Sequence, residues 1–379
     1  MLVSDQFDGN VVRNEIISVA YNFETLYATL KIMLRTKVEI PMNASHSLIG
    51  HTAYADLLAS HLDAQASELR GSIERKARNG RIYIYDRFRA GTKIISKYIG
   101  EGTPELEARL AAAEALRGQH QARRATQTRL ARLLRAEGYQ SLDSATGSLV
   151  MALSRIGVFR LGGTIIGTIA FRFYEGELGV RPGTALLAQT GDLDIASFER
   201  LSLALGDTVT ESVNDVLGGL NFSPIPSLDN RRVWRWKDAS TETLVEFLTP
   251  AFGDEGIRDL PALGVSAQAL HYLNYLIADP VKAVALYRSG VLVQIPRPER
   301  YAVHKLIVAT RRSAGIDSLK ARKDRAQAAF LIEVLAQDRP DELAEAWAEA
   351  RGNGPRWRAR LDMSLARMPQ TAALLAQLA

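Results

Sequence analysis

The stretch Thr190-Gly191-Asp192-Leu193-Asp194-Ile195-Ala196 is the part of the sequence on which the prediction of the fold depends most. Side chains of a β-strand alternate between its two faces, so Asp192 and Asp194 point the same way. Leu193 and Ile195 then lie on the other face, toward a core. Two carboxylates on one face can share hard cations, and Mg²⁺ prefers one or two carboxylates together with substrate phosphates. The stretch therefore predicts a buried strand that carries a metal and nucleotide site.

A glycine pair, Gly162-Gly163, precedes this strand in the sequence. Residues 156–161 form an apolar run that predicts a short strand, and the apolar spacing in 164–174 predicts a helix that begins at Thr164. A glycine pair between a strand and a helix lets the backbone approach a phosphate at a helix N-terminus, where N–H groups favour anions. Gly162, Gly163 and Thr164 are therefore predicted to bind the phosphates of a nucleotide.

A third carboxylate, Glu246, lies in the alternating run 243–248. This run and residues 232–237 flank the polar turn 238–240, which predicts an antiparallel pair of strands. Three acids on adjacent strands suit two-metal chemistry, in which one cation activates an attacking hydroxyl and the other stabilises a leaving pyrophosphate. The predicted catalytic residues, and the predicted ligands of Mg²⁺ or Mn²⁺, are Asp192, Asp194 and Glu246.

The remaining sequence predicts an α+β protein in three regions. Residues 1–140 are expected to form a helical accessory region that carries a β-hairpin at 81–99. Residues 141–296 alternate between strand and helix patterns, which predicts a core made of a mixed sheet with helices. Within it, residues 197–217 are expected to be helical, and strands are expected near 270–277 and 281–295. Residues 297–379 predict a helical C-terminal region that begins with a helix over 299–312.

Within the first region, residues 1–78 show helical spacing of apolar side chains, and 103–138 predict one long helix capped by Thr103. Its arginines are typical of a solvated face, and they are too spread around the helix for one phosphate-binding stripe. The hairpin alternates aromatic and basic residues, which would suit RNA, although a twisted hairpin packed by one face explains the same pattern. The arginines of the long helix are Arg117, Arg123, Arg124, Arg129, Arg132 and Arg135.

Composition places the chain among ordinary soluble proteins and excludes several kinds of site. The net charge of +5 on 379 residues permits an anionic partner but does not identify one. The sequence has no cysteine, which excludes disulfides and thiolate metal sites. Its first residues show no signal-peptide pattern, and no window is apolar enough for a membrane span. A cytoplasmic protein without membrane contact is therefore expected.

The order of these motifs resembles the nucleotidyltransferase superfamily of DNA polymerase β type. Its pattern is a strand, a Gly-Gly or Gly-Ser turn, a helix, a strand with Asp-x-Asp, and a later strand with a third acid that is often aspartate. Gly162-Gly163, Asp192, Asp194 and Glu246 follow that order here. The resemblance implies a polymerase-β-type core.

Two narrower resemblances extend the comparison. Motifs such as Gly167-Thr168-x-Ala170 and the segment from Pro296 to Leu306 look like the GSU2403-like family of bacterial nucleotidyltransferase-fold proteins. The tail resembles AbiEii-type toxin nucleotidyltransferases, in which a lysine, an arginine and a Lys-Asp pair flank the active site. A solvated basic face would explain the same tail residues. The matching positions are Lys305, Arg312, Lys323 and Asp324.

The tail resemblance assigns roles to these residues. Lys305 is expected to meet the triphosphate as a point charge, and Arg312 to form a fork to it. Lys323 is expected to flank the nucleotide, and Asp324 to orient Lys305 rather than to bind metal.

Together the resemblances imply an enzyme that transfers a nucleoside monophosphate from an NTP to an acceptor and releases pyrophosphate. The acceptor stays open between protein, RNA and a small molecule. The alternative is a non-catalytic nucleotide- or RNA-binding component of a toxin–antitoxin or defence system. Three adjacent carboxylates argue against that alternative, because a site without turnover has no physical need for them.

Overall fold

The structure is a computed structural model, and its described residues are 45–67, 72–78, 80–90, 93–116, 120–183, 186, 192–227, 232–241, 243–312 and 316–378. The helical prediction for residues 1–44, together with Arg117, Thr190 and Gly191, lies outside these residues. The chain divides into two compact units, Met1–Ser45 and His46–Ala379. The elements described below belong to the second unit.

A helix and a three-stranded antiparallel sheet open the described part. They are α1 (Leu48–Ser67), β1 (Ser72–Arg78), β2 (Arg81–Ala90) and β3 (Lys93–Glu101). The predicted hairpin is confirmed as β2 and β3. The helical prediction is wrong for 72–78, because this segment pairs along its whole length with β2. Its Glu, Lys and Ala residues favour helix, but strand pairing overrides that weak local preference.

The predicted long helix over 103–138 is wrong in one respect, since the structure forms two helices there. They are α2 (Pro104–Leu116) and α3 (His120–Ala136), and each packs on α1. Thr103 caps α2 as predicted, because its Oγ1 accepts a hydrogen bond from the Leu106 amide at 3.2 Å. A further helix, α4 (Ser144–Arg155), follows.

The central sheet confirms the predicted α+β class and its mixed sheet. Its strands run in the order β4 (Thr164–Ile166), β5 (Leu193–Ala196), β8 (Leu244–Pro250), β10 (Val265–Leu270) and β9 (Ile257–Leu260). On one side β8 pairs in parallel with β5. On its other side it pairs in parallel with β10 and antiparallel with β7 (Arg235–Asp238). The predicted antiparallel pair around the turn at 238–240 is therefore confirmed.

The segment around β4 differs from the prediction. Residues 156–162 form turns rather than a strand, and residues 164–166 form β4 rather than the start of a helix. Ile165 and Ile166 pair with Ile195 and Asp194 of β5, and β-branched side chains suit such pairing. Helix α5 (Gly167–Leu178) begins only after this short strand.

The region that follows β5 also differs from the prediction. In place of one helix over 197–217, the structure has α6 (Glu199–Ala204) and α7 (Val213–Gly218), with Gly206 at a φ of +62° between them. A left-handed residue cannot continue a right-handed helix. Strand β6 (Phe222–Pro224) then pairs with β7.

Past β10, the strand predicted near 270–277 is the short helix α8 (Leu273–Leu276). The strands β11 (Val281–Ala285) and β12 (Val291–Ile295) follow as an antiparallel pair. Five helices complete the described chain, and four of them begin at a proline, which suits a first turn that needs no N–H donor. They are α9 (Pro298–Arg311), α10 (Ile316–Asp338), α11 (Pro340–Gly352), α12 (Pro355–Leu365) and α13 (Pro369–Gln377).

The helical prediction for 299–312 is confirmed by α9, which packs against α10, α11 and α12. Buried side chains of α9 such as Tyr301 and Leu306 join the same apolar core as the central sheet. Tyr301 also donates a hydrogen bond to the Gly167 carbonyl at 2.7 Å, which holds α9 at the residue that follows β4. Among the described residues, no helix is both long and apolar enough to cross a membrane.

Candidate active site

Asp194 and Glu246 lie side by side in the central sheet. They are direct partners in the parallel ladder between β5 and β8. Their neighbours Leu193, Ile195 and Phe247 are fully buried. Because strand side chains alternate, the two carboxylates share the opposite face. The predicted placement of these acids on adjacent strands is confirmed.

Asp192 stands just before β5 and has a different environment. Its Oδ1 accepts a hydrogen bond from the Leu244 amide at 3.1 Å, which ties the start of β5 to the start of β8. Within the described residues, no donor forms a hydrogen bond to the carboxylate of Asp194 or of Glu246. The three acids are therefore near one another, and two of them keep their oxygens available.

The electrostatic environment of Asp194 and Glu246 makes ionisation of these two acids difficult. Burial raises the pKa of Asp194 to about 7, and the charges of Glu246 and Asp192 add to the rise, while Lys305 and Arg312 oppose it. Burial also raises the pKa of Glu246; Arg235 opposes that rise and Asp192 adds to it. A cation between the carboxylates would relieve this repulsion.

The donor set fits a hard divalent cation. Its ligands are carboxylate oxygens only, which Mg²⁺ and Mn²⁺ accept and softer metals do not favour. In the part of the chain that the structure describes, no group of three or more His, Cys, Asp or Glu side chains is placed to hold a metal ion by itself. Mg²⁺ does not require one, because substrate phosphates and water complete its shell. Asp194 and Glu246 therefore fit a cation that binds together with a nucleotide.

The raised pKa predicts how metal-free stability changes with pH. Burial favours protonated Asp194, so the native state holds a proton that the unfolded chain releases above its ordinary pKa of 3.8. The stabilisation that protonated Asp194 gives to the native state is complete below pH 3.8, and it is lost as the pH rises through about 7. Asp194→Asn lacks this titration, so in EDTA its free energy of unfolding relative to wild type should rise by about 3 kcal/mol between about pH 5 and about pH 8.

Urea unfolding at several pH values measures this difference. Asp341→Asn is the matched control, because Asp341 is an exposed carboxylate on α11. Its difference from wild type should stay flat over the same range. A flat difference for Asp194→Asn would contradict the raised pKa.

The N-terminus of α5 lies against Asp194. Gly167 starts this helix at a φ of +70°, and a Cβ on it would lie 2.5 Å from Asp194 Oδ2. The Thr168 hydroxyl is 3.4 Å from Lys323 Nζ. Backbone N–H groups at a helix N-terminus bind phosphate. Gly167 and Thr168, rather than Gly162 and Gly163, thus occupy the strand–turn–helix position beside the acids.

Gly162 and Gly163 lie before β4 and Thr164 is its first residue, so the expected helix start at Thr164 is wrong. Gly163 packs against Val158, where a Cβ would lie 2.7 Å from Cγ1. Gly162 has a φ of +93° in a turn against Leu201. Thr164 is buried, and its hydroxyl accepts a hydrogen bond from Gln294 at 2.9 Å. Close packing explains the glycine pair, and Thr164 is part of a strand.

The four tail residues lie together beside the start of α5. Asp324 is 2 % exposed and accepts hydrogen bonds from Lys305 Nζ at 2.7 Å and from Arg312 at 2.8 Å. Its contact with Lys305 is the one expected of a residue that orients this lysine. Lys323 Nζ lies 3.4 Å from the hydroxyl of Thr168 at the start of α5. Helices α9 and α10 therefore place three cations and one buried acid at this edge.

Tyr301 is a site residue that sequence reasoning missed. Its hydroxyl donates a hydrogen bond to the Gly167 carbonyl at 2.7 Å, and its ring lies under Lys305 Nζ at 5.2 Å. It thereby fixes α9 to the first residue of α5. The only sequence signal was its position within the segment from Pro296 to Leu306, four residues before Lys305 on one helix face.

The close approach at Gly167 predicts a large effect of one methyl group. In Gly167→Ala, the Cβ would displace the Asp194 carboxylate, and a displacement of about 1 Å can cost roughly a hundredfold in rate. Gly206→Ala is the control, since Gly206 has a similar φ of +62° and no described atom lies within 4 Å of its Cβ position. Both variants should lose about 1 kcal/mol of stability from backbone strain.

The rate of the reaction proposed below and urea unfolding measure both effects. Only Gly167→Ala should lose activity. Equal activities of the two alanine variants would show that the contact with Asp194 is unimportant.

Comparison with known proteins identifies the family of the chain. A family model described as nucleotidyltransferase matches residues 144–352, which is more than half of the chain. The chain therefore belongs to this nucleotidyltransferase family. The matched range contains all the acids and cations of the site as well as the start of α5. No curated protein and no solved structure matches the chain.

Proposed function

We propose that the protein transfers a nucleoside monophosphate from an NTP to an acceptor hydroxyl or phosphate and releases pyrophosphate. The observation that carries this proposal is the direct pairing of Asp194 with Glu246 beside the N-terminus of α5. Membership of the nucleotidyltransferase family supports it independently. The narrower GSU2403-like and AbiEii-type resemblances remain predictions.

The acids would hold Mg²⁺ or Mn²⁺, with Asp194 and Glu246 as ligands and Asp192 at the side of the site. A bound cation of this kind lowers the pKa of an attacking hydroxyl and neutralises charge on phosphate oxygens. The acceptor oxygen forms a bond to the α-phosphorus, and the bond from that phosphorus to the bridging oxygen breaks. Pyrophosphate leaves with the electron pair, and the acceptor proton passes to Glu246 or to water.

The cationic edge would bind the triphosphate. Backbone N–H groups of Gly167 and Thr168 face phosphate oxygens at the helix N-terminus. Lys305 supplies a point charge, and Arg312 can offer a planar fork. Asp324 holds both cations in place through its two oxygens. The substrate is therefore bound between the acids on the sheet and the cations on α9 and α10.

Position-specific labelling tests the reaction. The protein is incubated with Mg²⁺ and NTPs labelled at the α- or γ-phosphate, together with cellular RNA, cellular protein, small hydroxyl compounds or no addition. Nucleotidyl transfer places the α-label in an acceptor and releases the γ-label as pyrophosphate. Incorporation of the γ-label would contradict the proposal. Tight NTP binding with no incorporation for any acceptor would favour the non-catalytic binding component of a toxin–antitoxin or defence system.

A further inference from the structure

A basic cavity of about 630 Å³ lies between the three-stranded sheet, α1, α3 and the β11–β12 pair. Among the described residues that line it, Lys and Arg outnumber acids seven to one. The acids and cations of the candidate active site are absent from this lining. The cavity is therefore a second site, and it is built for negative charge.

Most of this positive charge is not neutralised by the protein. Arg160 forms an ion pair with Asp207. In contrast, five of the lining cations form no ion pair within the described residues: Lys97, Arg124, Arg155, Lys282 and Arg288. Cations that converge on a cavity without carboxylate partners raise the local concentration of anions.

The floor of the cavity is ordered by a buried lysine. Lys282 Nζ donates hydrogen bonds to the Phe159 carbonyl at 3.1 Å and to Gln294 Oε1 at 2.9 Å. Burial lowers the pKa of Lys282 to about 8, and the charge of Arg160 adds to this effect. Lys282 is thus a fixed cation that an added negative charge would stabilise.

The positive surface continues outside the cavity along α3. This helix buries Leu130, Ala131 and Leu134, and its residues Arg124, Arg129 and Arg132 are exposed. Arg124, Arg129 and Arg132 line an open groove together, and Arg124 belongs to the cavity as well. At 1.5 Å per residue, Arg124 and Arg132 are about 12 Å apart along the helix. Three of the six arginines named from the sequence therefore share one groove.

We propose that the basic cavity and the α3 groove together bind a single-stranded nucleic acid through its phosphodiester backbone. The cavity has the size of a site for one or two nucleotides, so a duplex cannot enter it. A mononucleotide would fill the cavity and leave the groove empty. A flexible strand reaches both, and contacts to phosphates need no particular base sequence. This binding is separate from the nucleotide site at Asp194.

Fluorescence anisotropy with the full chain tests this binding. The probes are labelled oligo-U and oligo-dT of about twelve nucleotides, and a duplex of the same length. The test variant is Arg124→Gln/Arg288→Gln, and the control is Arg356→Gln/Arg358→Gln, which removes two exposed arginines from α12. Affinities are measured over a series of salt concentrations.

Wild type and the control are expected to bind both single strands more tightly than the duplex. The test variant should bind about tenfold more weakly, and its salt slope should fall by about 1.4, since each lost phosphate contact removes about 0.7. Asp194→Asn should bind the strands like wild type, which separates this site from the proposed transfer reaction. Absence of binding at low salt, a preference for duplex, or equal affinities of the test and control variants would overturn the proposal.

Discussion

Asp194→Asn is expected to reduce nucleotidyl transfer by about a thousandfold while the protein stays folded. The substitution preserves side-chain volume but removes the negative charge nearest to the start of α5. A catalytic metal contributes several kcal/mol of charge stabilisation, and about 4 kcal/mol corresponds to roughly a thousandfold in rate. Incorporation of α-labelled nucleotide by wild type and variant measures the loss, and a thermal melt confirms the fold.

Asp341→Asn serves as the matched control for this change. It removes one exposed carboxylate from α11, a helix that carries none of the site residues. Its transfer rate should equal that of wild type. The transfer rate of Glu246→Gln should also fall below that of wild type, since Glu246 and Asp194 are direct partners in the β5–β8 ladder. If Asp194→Asn transferred nucleotide at the wild-type rate, Asp194 would have no part in the mechanism.

Asp324→Asn is expected to lower the free energy of unfolding by about 3 kcal/mol and to weaken NTP binding. Asp324 is 2 % exposed and neutralises Lys305, which is 6 % exposed. Removal of one partner from a buried ion pair leaves the other charge buried without compensation, and such changes cost about 3–5 kcal/mol. The partial exposure of Arg312 lets that second cation reach water, which favours the lower end of this range. Urea unfolding measures the loss.

Asp362→Asn is the control, because it breaks the exposed ion pair between Asp362 and Arg351. A surface pair of this kind contributes at most about 1 kcal/mol. The double variant Lys305→Met/Asp324→Leu separates stability from function, since apolar replacement of both partners can restore stability. It should unfold near the wild-type free energy but still bind NTP weakly. Similar losses in Asp324→Asn and Asp362→Asn would contradict the buried network.

Sheet placement of the acids was predictable because strand periodicity is a local property. Leu193 and Ile195 alternate with Asp192 and Asp194, and the same alternation around Glu246 indicated a second strand of the core. The structure pairs these strands directly. The sequence could indicate that the acids share a face, but it could not show that Asp192 is held by a backbone amide of the neighbouring strand.

The start of α5 was misplaced because β4 has only three residues. Ile165, Ile166 and Ile169 fit helical spacing, so periodicity could not separate a short strand from the first turn of a helix. The glycine pair at 162–163 was a stronger local signal than Gly167-Thr168, yet it serves packing against Val158 and Leu201. Pairing with β5 makes residues 164–166 a strand. The partner strand is about thirty residues away in the sequence, so local spacing could not reveal this contact.

Long-range geometry accounts for the other differences. The tail residues Lys305 and Asp324 are on different helices, and only a family resemblance suggested that they act together. The arginines of α3 looked dispersed in a single helix that was predicted to be longer. Their common groove depends on which face α3 buries against α1, and the basic cavity depends on strands and helices far apart in sequence.

Calorimetric titration tests the central claim that Asp194, Glu246 and the start of α5 form a metal-dependent nucleotide site. ATP, GTP, CTP and UTP are titrated into wild type, Asp194→Asn and Asp341→Asn, each with Mg²⁺ and each with EDTA. The account predicts that at least one NTP binds wild type and Asp341→Asn with Mg²⁺, and that EDTA or Asp194→Asn abolishes this binding. No binding to wild type, equal binding by Asp194→Asn, or equal binding to wild type in EDTA would contradict it.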